Sequence, residues 1–464
     1  MIQKHKIIEI DENNIFENDK LKRKETIKDL SLLLENTSES LVLSLNAPWG
    51  AGKTTFVKLW KTYLKKEKSI NSIYFSAWED DFSKEPLISI MGEIKKYIND
   101  NFNQNLEIES KFDKVKDLTG KVLKRGVPSF LKGMTGGLLD IDKGFEEAIG
   151  SIVESTSKEL IDNYSKNKEI VEQFKNSIQD LLSQIDKSKP FIIFIDELDR
   201  CRPIYAIELF ERIKHIFGID GLIFVLSIDK VQLSESIKSQ YGNIDADNYL
   251  RRFIDMEYSL QSLNTDDFCT YLYHDIFKLS EILVNKQISQ HNGDELQMIK
   301  YLSKSTNLSL REIEQIFTQI SIIYKIVPVR FFEIHFIIII VLIVIKNKFP
   351  KEYELLKIQK ISENELITLM VSRNIEDEYL KTVINAVVLA TSKTTAELDN
   401  IVKAEKNKLD SLDIKSNEHY YKNNLISWLS EPLDRFNRYR LNEAIETVIK
   451  KIEFSDRFYF SDNE

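Results

Sequence analysis

The chain has 464 residues, of which 42% are hydrophobic and 30% are charged. These fractions are close to the average for globular proteins, and they exclude a largely disordered or fibrous chain. The net charge of -9 argues against a surface that is basic throughout, of the kind that grips duplex DNA through its phosphates.

The two cysteines, Cys201 and Cys269, lie far apart and lack the spacing of a zinc site. They indicate a reducing compartment without a disulfide framework. No cleavable apolar segment opens the sequence, so we expect a cytoplasmic protein. The longest apolar run, Phe336 to Ile345, has ten residues, whereas a membrane-crossing helix needs about 20. We therefore predict a buried helix there and no stable membrane span.

The first predicted elements in the chain are a helix and a strand. Apolar residues recur at helical spacing between Lys20 and Glu35, and Leu41 to Leu45 has the composition of a strand. A glycine-containing turn follows, and Phe56 to Lys65 then has the pattern of an amphipathic helix. This order of strand, turn and helix is the structural context in which a phosphate-binding motif can bind a phosphate.

The turn carries the G-x-x-x-x-G-K-[ST] pattern of a phosphate-binding loop, with Ala47 in place of the first glycine. Alanine is tolerable there if its φ stays negative. Gly50 and Gly52 let the backbone wrap closely, so that amide groups and the positive end of the next helix face an anion. The residues expected to bind the nucleotide here are Pro48, Trp49, Gly50, Ala51, Gly52, Lys53, Thr54 and Thr55.

Three side chains of this loop have separate predicted roles. Lys53 would reach the β- and γ-phosphates, the Thr54 hydroxyl would bind Mg²⁺, and Thr55 would help to hold the α-phosphate. ATP and Mg²⁺ are therefore the predicted cofactors. The alternative is an ordinary glycine turn with a solvated lysine.

Four further segments have the composition of strands. They are Ser72–Ser76, Phe191–Ile195, Leu222–Ser227 and Asp255–Leu260. Apolar strands that alternate with helical patterns predict an α/β fold with a central parallel sheet flanked by helices. More than a hundred residues separate the second and third of the five strands, which predicts a helical insertion. Seven glycines between residues 120 and 150 predict a hinge within it.

Beyond residue 265 the helical periodicity continues without strand patterns, so we predict an all-helical C-terminal domain. The predicted divisions of the chain follow from these elements. They are 1–79 for the first part of the core with the phosphate loop, 80–189 for the insertion, 190–262 for the rest of the core, and 263–464 for a helical lid and C-terminal domain.

The apolar strand at Phe191 ends in two carboxylates, Asp196 and Glu197, which is a Walker B pattern. Asp196 can hold Mg²⁺ directly or through a water molecule, and Glu197 can orient and deprotonate the water that attacks the γ-phosphate. A buried strand that runs into a charged turn is the alternative, and the preceding phosphate loop makes it the weaker one.

Four arginines are candidates to stabilise the charge of the transition state. Arg200 and Arg202 follow the acidic pair, and either could be a charge clamp, or could equally pair with Asp199 or cap the end of the sheet. Arg251 and Arg252 could act within the chain or across a subunit boundary, and a surface pair on a helix is an equal alternative.

These segments together resemble the KAP family of P-loop NTPases. The resemblance is carried by the motif strings PWGAGKT (48–54), FSAWE (75–79) with Pro86 and Leu87, DELDRC (196–201), YLRRF (249–253) and LSLREIEQ (308–315). It spans residues 19 to about 325 and implies a nucleotide-binding core with a catalytic glutamate after Walker B.

The resemblance implies three further features. Arg311 would be a lid residue that senses the nucleotide, and residues 19–23 resemble the amino-terminal box that places the adenine, with Lys22 where a glycine is usual. Many family members carry membrane helices between the Walker motifs, but here charged residues interrupt residues 126–152, as in a soluble branch. Some bacterial members of that branch take part in defence against phage.

We therefore expect an ATPase that works as a conformational or assembly switch on a macromolecular partner, more often a protein than a nucleic acid. A nucleotide-dependent homo-oligomer is a further expectation. ATP is favoured over GTP, because the guanine-reading pattern at Asn407 to Asp410 lies in a charged helical stretch, away from the nucleotide strands.

The alternatives are a nucleotide-dependent scaffold with little turnover and a nucleic-acid translocase that uses lysine-rich strings. Membrane association through residues 127–139 is a weaker one.

Overall fold

The computed structural model of the chain describes residues 10–17, 19–83, 85–124, 157–261, 265–285, 294–326, 332–358, 378–414, 416–430 and 441–455. The chain divides into two compact units, one from Ile10 to Ser262 and one that follows from Leu263 on. The first unit contains a sheet with flanking helices. The regular elements described in the second unit are all helical.

Within the described residues, five strands form one sheet in the order β2-β3-β4-β1-β5. The strands are β1 (Leu41–Asn46), β2 (Ser72–Ser76), β3 (Phe191–Asp196), β4 (Leu222–Ile228) and β5 (Met256–Ser259). All neighbouring pairs are parallel. The predicted α/β class is confirmed, and the five predicted strand segments coincide with the observed strands to within one residue at either end.

The two faces of the sheet are covered by different helices. The helices of the first unit are α1 (Lys24–Glu35), α2 (Lys53–Glu67), α3 (Pro86–Phe102), α4 (Leu106–Lys124), α5 (Ser157–Ile185), α6 (Pro203–Ile216), α7 (Lys230–Tyr241) and α8 (Ala246–Leu250). Ile192 and Phe194 pack with α1 and α2 on one face, and Ile193 and Ile195 pack with α3 to α7 on the other. Because side chains alternate along a strand, one apolar strand fills both cores.

The helical insertion between β2 and β3 packs directly against the sheet. Phe112 of α4 and Phe174 of α5 belong to the same apolar core as Phe75 of β2 and Ile193 of β3. The predicted glycine-rich hinge begins on α4, which contains its first glycine, Gly120. The rest of the hinge and the stretch at 127–139 lie among residues 125–156, outside the described residues.

The second unit contains the predicted buried helix. Its described elements are α9 (Thr265–Tyr271), a π-helical turn (Leu272–Ile276), α10 (Leu279–Asn285), α11 (Asp294–Ser305), α12 (Leu310–Ile326), α13 (Phe332–Lys348), α14 (Pro350–Lys357), α15 (Glu378–Ser392), α16 (Thr395–Leu409), α17 (Asn417–Ser430) and α18 (Leu441–Ser455). Along α13, every residue from Ile338 to Ile345 is at most 1% exposed. Among the helices described, none is long and apolar enough to cross a membrane.

Candidate nucleotide-binding site

The phosphate loop connects the carboxyl end of β1 to the amino end of α2. Gly50 and Gly52 have φ values of 78° and 80°, in the left-handed region that favours glycine. Gly52 is the N-cap of α2, so the loop delivers the chain into the positive end of that helix. Ala47 does not have a positive φ, which is the condition under which alanine is tolerated at the first position of the motif.

Lys53 lies at the start of α2 and folds back across the loop. Its ammonium group donates hydrogen bonds to the carbonyl oxygens of Ala47 at 2.7 Å and Pro48 at 3.4 Å. The side chain is buried, and burial lowers its pKa, while the carboxylates of Asp199, Asp229 and Asp196 act in the opposite direction. The lysine therefore lies within electrostatic reach of the acids at the ends of β3 and β4.

Two buried aspartates that the sequence motifs did not assign to the site fix the phosphate loop to the segments that follow β3 and β4. Asp229, which follows β4, accepts a hydrogen bond from the Trp49 amide at 3.0 Å and also caps α7. Asp199, just after β3, accepts a hydrogen bond from the Trp49 indole N–H. The signal that could have found Asp229 is its place after an apolar strand and before a helical pattern.

The contact between Trp49 and Asp199 joins the phosphate loop to the segment after the Walker B strand. Asp199 is 8% exposed, and burial raises its pKa, while the Trp49 hydrogen bond and Lys53 act to lower it. The second carboxylate oxygen of Asp199 has no hydrogen-bond partner among the described residues. The tryptophan, the nearby lysine and the backbone amides of Asp199 and Asp229 favour the carboxylate form of this buried acid.

Asp196 ends β3 and is 1% exposed. Its carboxylate accepts hydrogen bonds from the Glu197 amide at 3.0 Å and from the Tyr74 hydroxyl at 3.2 Å. Ser227 lies opposite Asp196 in the register of β3 and β4. The Ser227 hydroxyl is fully buried and has no partner among the described residues.

The residues present fit a magnesium ion. Thr54 lies in the first turn of α2 and is half-buried, and Asp196 lies at the end of β3. Hydroxyl and carboxylate oxygens are the hard ligands that Mg²⁺ takes, and most of its remaining shell comes from phosphate and water. The described regions contain no cluster of three or more acidic, histidine or cysteine side chains that could hold a metal ion by themselves. A magnesium ion at this site would therefore need phosphate and water ligands as well.

Glu197 has a strained backbone and a side chain that is held at both oxygens. Its φ is 61°, a conformation that non-glycine residues rarely adopt. One carboxylate oxygen accepts a hydrogen bond from the Ser76 hydroxyl at 2.9 Å, and the other pairs with Arg200 at 2.7 Å. Burial raises the pKa of Glu197, and Arg200 and Ser76 act to lower it.

The strand order shows which way the Glu197 carboxylate points. The phosphate loop follows β1, and β4 lies between β1 and β3. Ser76 ends β2, on the opposite side of β3. The Glu197 side chain therefore leans toward β2, away from the strand that carries the phosphate loop.

Arg200 and Arg202 have different partners, and neither partner is Asp199. Arg200 pairs with Glu197 and lies over the Trp78 ring at 5.8 Å. The Arg202 side chain pairs with the Asp81 carboxylate at 2.9 Å and also donates to the Asp81 carbonyl. Arg200 is thus part of the site, whereas Arg202 fastens the loop after β2.

Arg251 and Arg252 lie at the opposite end of the sheet from the phosphate loop. The Arg252 carbonyl accepts a hydrogen bond from Lys214, at the end of α6. Asp255 accepts one from the amide of Val42, the second residue of β1. Within one chain the sheet therefore separates both arginines from Lys53, and only the interpretation across a subunit boundary remains compatible with a catalytic role.

Two further sequence motifs lie in the second unit. Arg311 is exposed in the first turn of α12, and its assignment as a lid residue stays a prediction. The guanine-like pattern at 407–410 forms the end of α16 and its C-cap, which is the helical context predicted for it.

The amino-terminal box forms a turn before α1. The Lys22 amide donates to the Asp19 carbonyl at 3.3 Å, and Lys22 has a φ of 54°. This left-handed conformation favours glycine, the residue that the family resemblance leads one to expect at the position. The next residue, Arg23, is 5% exposed, lies over the Phe56 ring, and donates to the Gln261 carbonyl at 3.4 Å. Burial lowers the pKa of Arg23 to about 10.

Comparison with known proteins gives one family match. The model described as the KAP family P-loop domain matches residues 23–327, more than half of the chain. No curated protein matches the chain.

Solved structures of the Aeropyrum pernix ORC2 protein are also similar. The ADPNP–ADP form is 11% identical, with 94% of this chain and 95% of that chain covered and a TM-score of 0.31. The ADP form is 11% identical, with coverage of 97% and 96% and a TM-score of 0.29.

The left-handed Lys22 gives a stability prediction. We expect Lys22→Gly to raise the free energy of unfolding by about 1 kcal/mol, because glycine adopts this φ without steric cost. Lys28→Gly, within α1, should instead lower it by about 1 kcal/mol. Urea unfolding of both variants measures the difference, and a loss of stability in Lys22→Gly would contradict the argument.

The indole hydrogen bond of Trp49 gives a binding prediction. Trp49→Phe keeps an aromatic ring but removes the donor to Asp199, so we expect the affinity for Mg-ATP to fall about tenfold. Trp428→Phe, in the second unit, is the matched control and should bind as the wild type does. Titration with a fluorescent ATP analogue measures both, and equal affinities would show that the contact does not order the loop.

Proposed function

The chain belongs to the KAP family of P-loop NTPases, and on that basis we propose that it binds and hydrolyses Mg-ATP to drive a conformational or assembly switch on a macromolecular partner. The observation that carries the proposal is that the phosphate loop with Lys53 follows β1 and that Asp196 and Glu197 end and follow β3, so both lie at the carboxyl edge of one parallel sheet, with β4 between the two strands. A phosphate loop together with a paired acid supports hydrolysis more than passive binding.

The chemistry is attack of water on the γ-phosphorus. Glu197 takes a proton from the water as its oxygen bonds to phosphorus, and the bond to the bridging oxygen breaks with its electron pair leaving on ADP. Lys53 offsets the negative charge of the β- and γ-phosphates. Thr54 and Asp196 would hold Mg²⁺, which supplies charge neutralisation and orients the phosphates.

Glu197 must turn toward the phosphates before it can act as the base. In the structure its carboxylate is held by Ser76 and Arg200 on the β2 side. This orientation supports a switch in which turnover waits for a change at the loop after β2.

The partner is proposed to be a protein. Two lysines of the lysine-rich α2 segment, Lys66 and Lys68, pair with Glu12 and Glu35, so part of this string is neutralised locally. That observation weakens the translocase alternative, which needs free cations along a nucleic-acid track. Both cysteines are free and buried, which supports a reducing, cytoplasmic setting. A role in bacterial defence against phage rests on family resemblance alone.

Substitution of Glu197, the proposed general base, distinguishes an ATPase from a nucleotide-dependent scaffold. Glu197→Gln keeps the size of the side chain but cannot accept the proton, so we expect phosphate release to fall at least about a hundredfold while ATP binding persists. Glu235→Gln, an exposed acid on α7, is the matched control. Wild-type protein that binds ATP but releases no more phosphate than Glu197→Gln would favour the scaffold.

The pairing of Arg200 with Glu197 gives a pH prediction. Arg200 lowers the pKa of Glu197 against the effect of burial, so Arg200→Gln should raise that pKa further. Because the base must be ionised, the acidic limb of the rate profile should move to higher pH. Arg202→Gln, whose partner is Asp81, should leave the limb in place. Phosphate release across the acidic range measures the shift, and an unmoved limb for Arg200→Gln contradicts it.

A further inference from the structure

The loop that follows β2 presents aromatic and acidic side chains to solvent. We call residues 77–83 the acidic-aromatic loop. Phe82 is 82% exposed and Trp78 is 43% exposed, and Glu79 beside them is also exposed. The Glu79 and Asp80 carboxylates have no hydrogen-bond or ion-pair partner among the described residues. Exposed aromatic side chains at such a density mark an interaction surface.

The acidic-aromatic loop is held in one conformation. Asp81 accepts hydrogen bonds from the Arg202 amide at 3.0 Å and from its guanidinium at 2.9 Å. Inside the loop, the Ser83 amide donates to the Asp80 carbonyl at 2.9 Å. Because the loop is already ordered, a partner that binds it does not need to order it first.

A surface of opposite charge lies on the same unit. Arg251 and Arg252 are exposed, and neither guanidinium has a hydrogen-bond or ion-pair partner among the described residues. They follow α8, where Tyr249 and Phe253 stack with ring centroids 5.1 Å apart. We call residues 251–252 the arginine segment. It presents two cations without an ion-pair partner among the described residues, next to a pair of packed aromatic rings.

The two surfaces cannot meet within one copy. The acidic-aromatic loop leaves the carboxyl end of β2, whereas the arginine segment lies near the amino end of β1. A strand of six residues, such as β1, is about 20 Å long. Complementary surfaces at opposite edges of one sheet fit a head-to-tail contact between copies.

We infer that the acidic-aromatic loop of one copy binds the arginine segment of a second copy. Glu79 would pair with the arginines, and the rings of Trp78 and Phe82 would stack on guanidinium groups. The acidic side chains make nucleic acid a poor occupant of this surface. The inference deepens the assembly switch and rests on the proposed function for its meaning in the cell.

The contact would affect both interactions that hold the Glu197 carboxylate. Arg200, which pairs with one oxygen of Glu197, lies over the Trp78 ring. Ser76, just before the loop, holds the other. A second copy that binds Trp78 would disturb both contacts, so we expect phosphate release per molecule to rise with protein concentration.

The experiment exchanges the charges of the two surfaces. Glu79→Arg places an arginine against the arginine segment, and the double variant Arg251→Glu with Arg252→Glu places acids against the acidic-aromatic loop. Each alone should weaken self-association at least about tenfold, because like charges then meet. An equimolar mixture of the two should assemble again, because each loop then finds an opposite charge. Sedimentation velocity with and without Mg-ATP measures the masses.

Glu235→Arg controls for charge reversal elsewhere on the surface and should assemble as the wild type does. Binding of a fluorescent ATP analogue shows that each variant is folded, and it separates a failed contact from a failed nucleotide site. A wild-type chain that stays monomeric with and without Mg-ATP, variants that assemble normally, or a mixture that does not reassemble would each overturn the inference. A monomeric chain would leave a basic segment of another protein as the occupant.

Discussion

The parallel register of β1, β4 and β3 is the constraint on which the site depends. Asn46 of β1 pairs with Ile228 of β4, and the residue before it in β4, Ser227, pairs with Asp196 of β3. The loops that follow these residues therefore start from one edge of the sheet. Hydrogen bonding of the backbone, rather than contacts between functional side chains, therefore brings the phosphate loop to the paired acids. Trp49 then links that loop to Asp229 and Asp199.

Buried charge is balanced within this edge with few formal ion pairs. Within the described part of the chain, Lys53 has no carboxylate at hydrogen-bond distance, yet Asp199, Asp229 and Asp196 all act on its pKa. Isolated buried charges are costly, so these groups stabilise one another through the low-dielectric interior. The positive end of α2 and a bound cation can both offset the negative potential of these aspartates. Glu197 is the exception, because Arg200 pairs with it directly.

The sequence predicted most of the architecture because apolar strands and the glycine turn are local signals. The bounds of β3 and the roles open to Asp196 follow from one short segment. Ser76 and the opposite-end placement of Arg251 could not be predicted in the same way. Their positions depend on strand order and on the path of α6 to α8, which residue spacing does not encode. The pairing of Arg202 with Asp81 likewise joins residues 121 positions apart.

The left-handed backbone at Glu197 has an evolutionary consequence. The conformation costs a side chain on the order of 1 to 2 kcal/mol, and only glycine would escape that cost. A glycine there would stabilise the fold but would remove the base of the proposed reaction. Under that proposal, selection for stability alone opposes selection for turnover at this residue, and lineages that lose the need for hydrolysis should change first to small, flexible residues at this position.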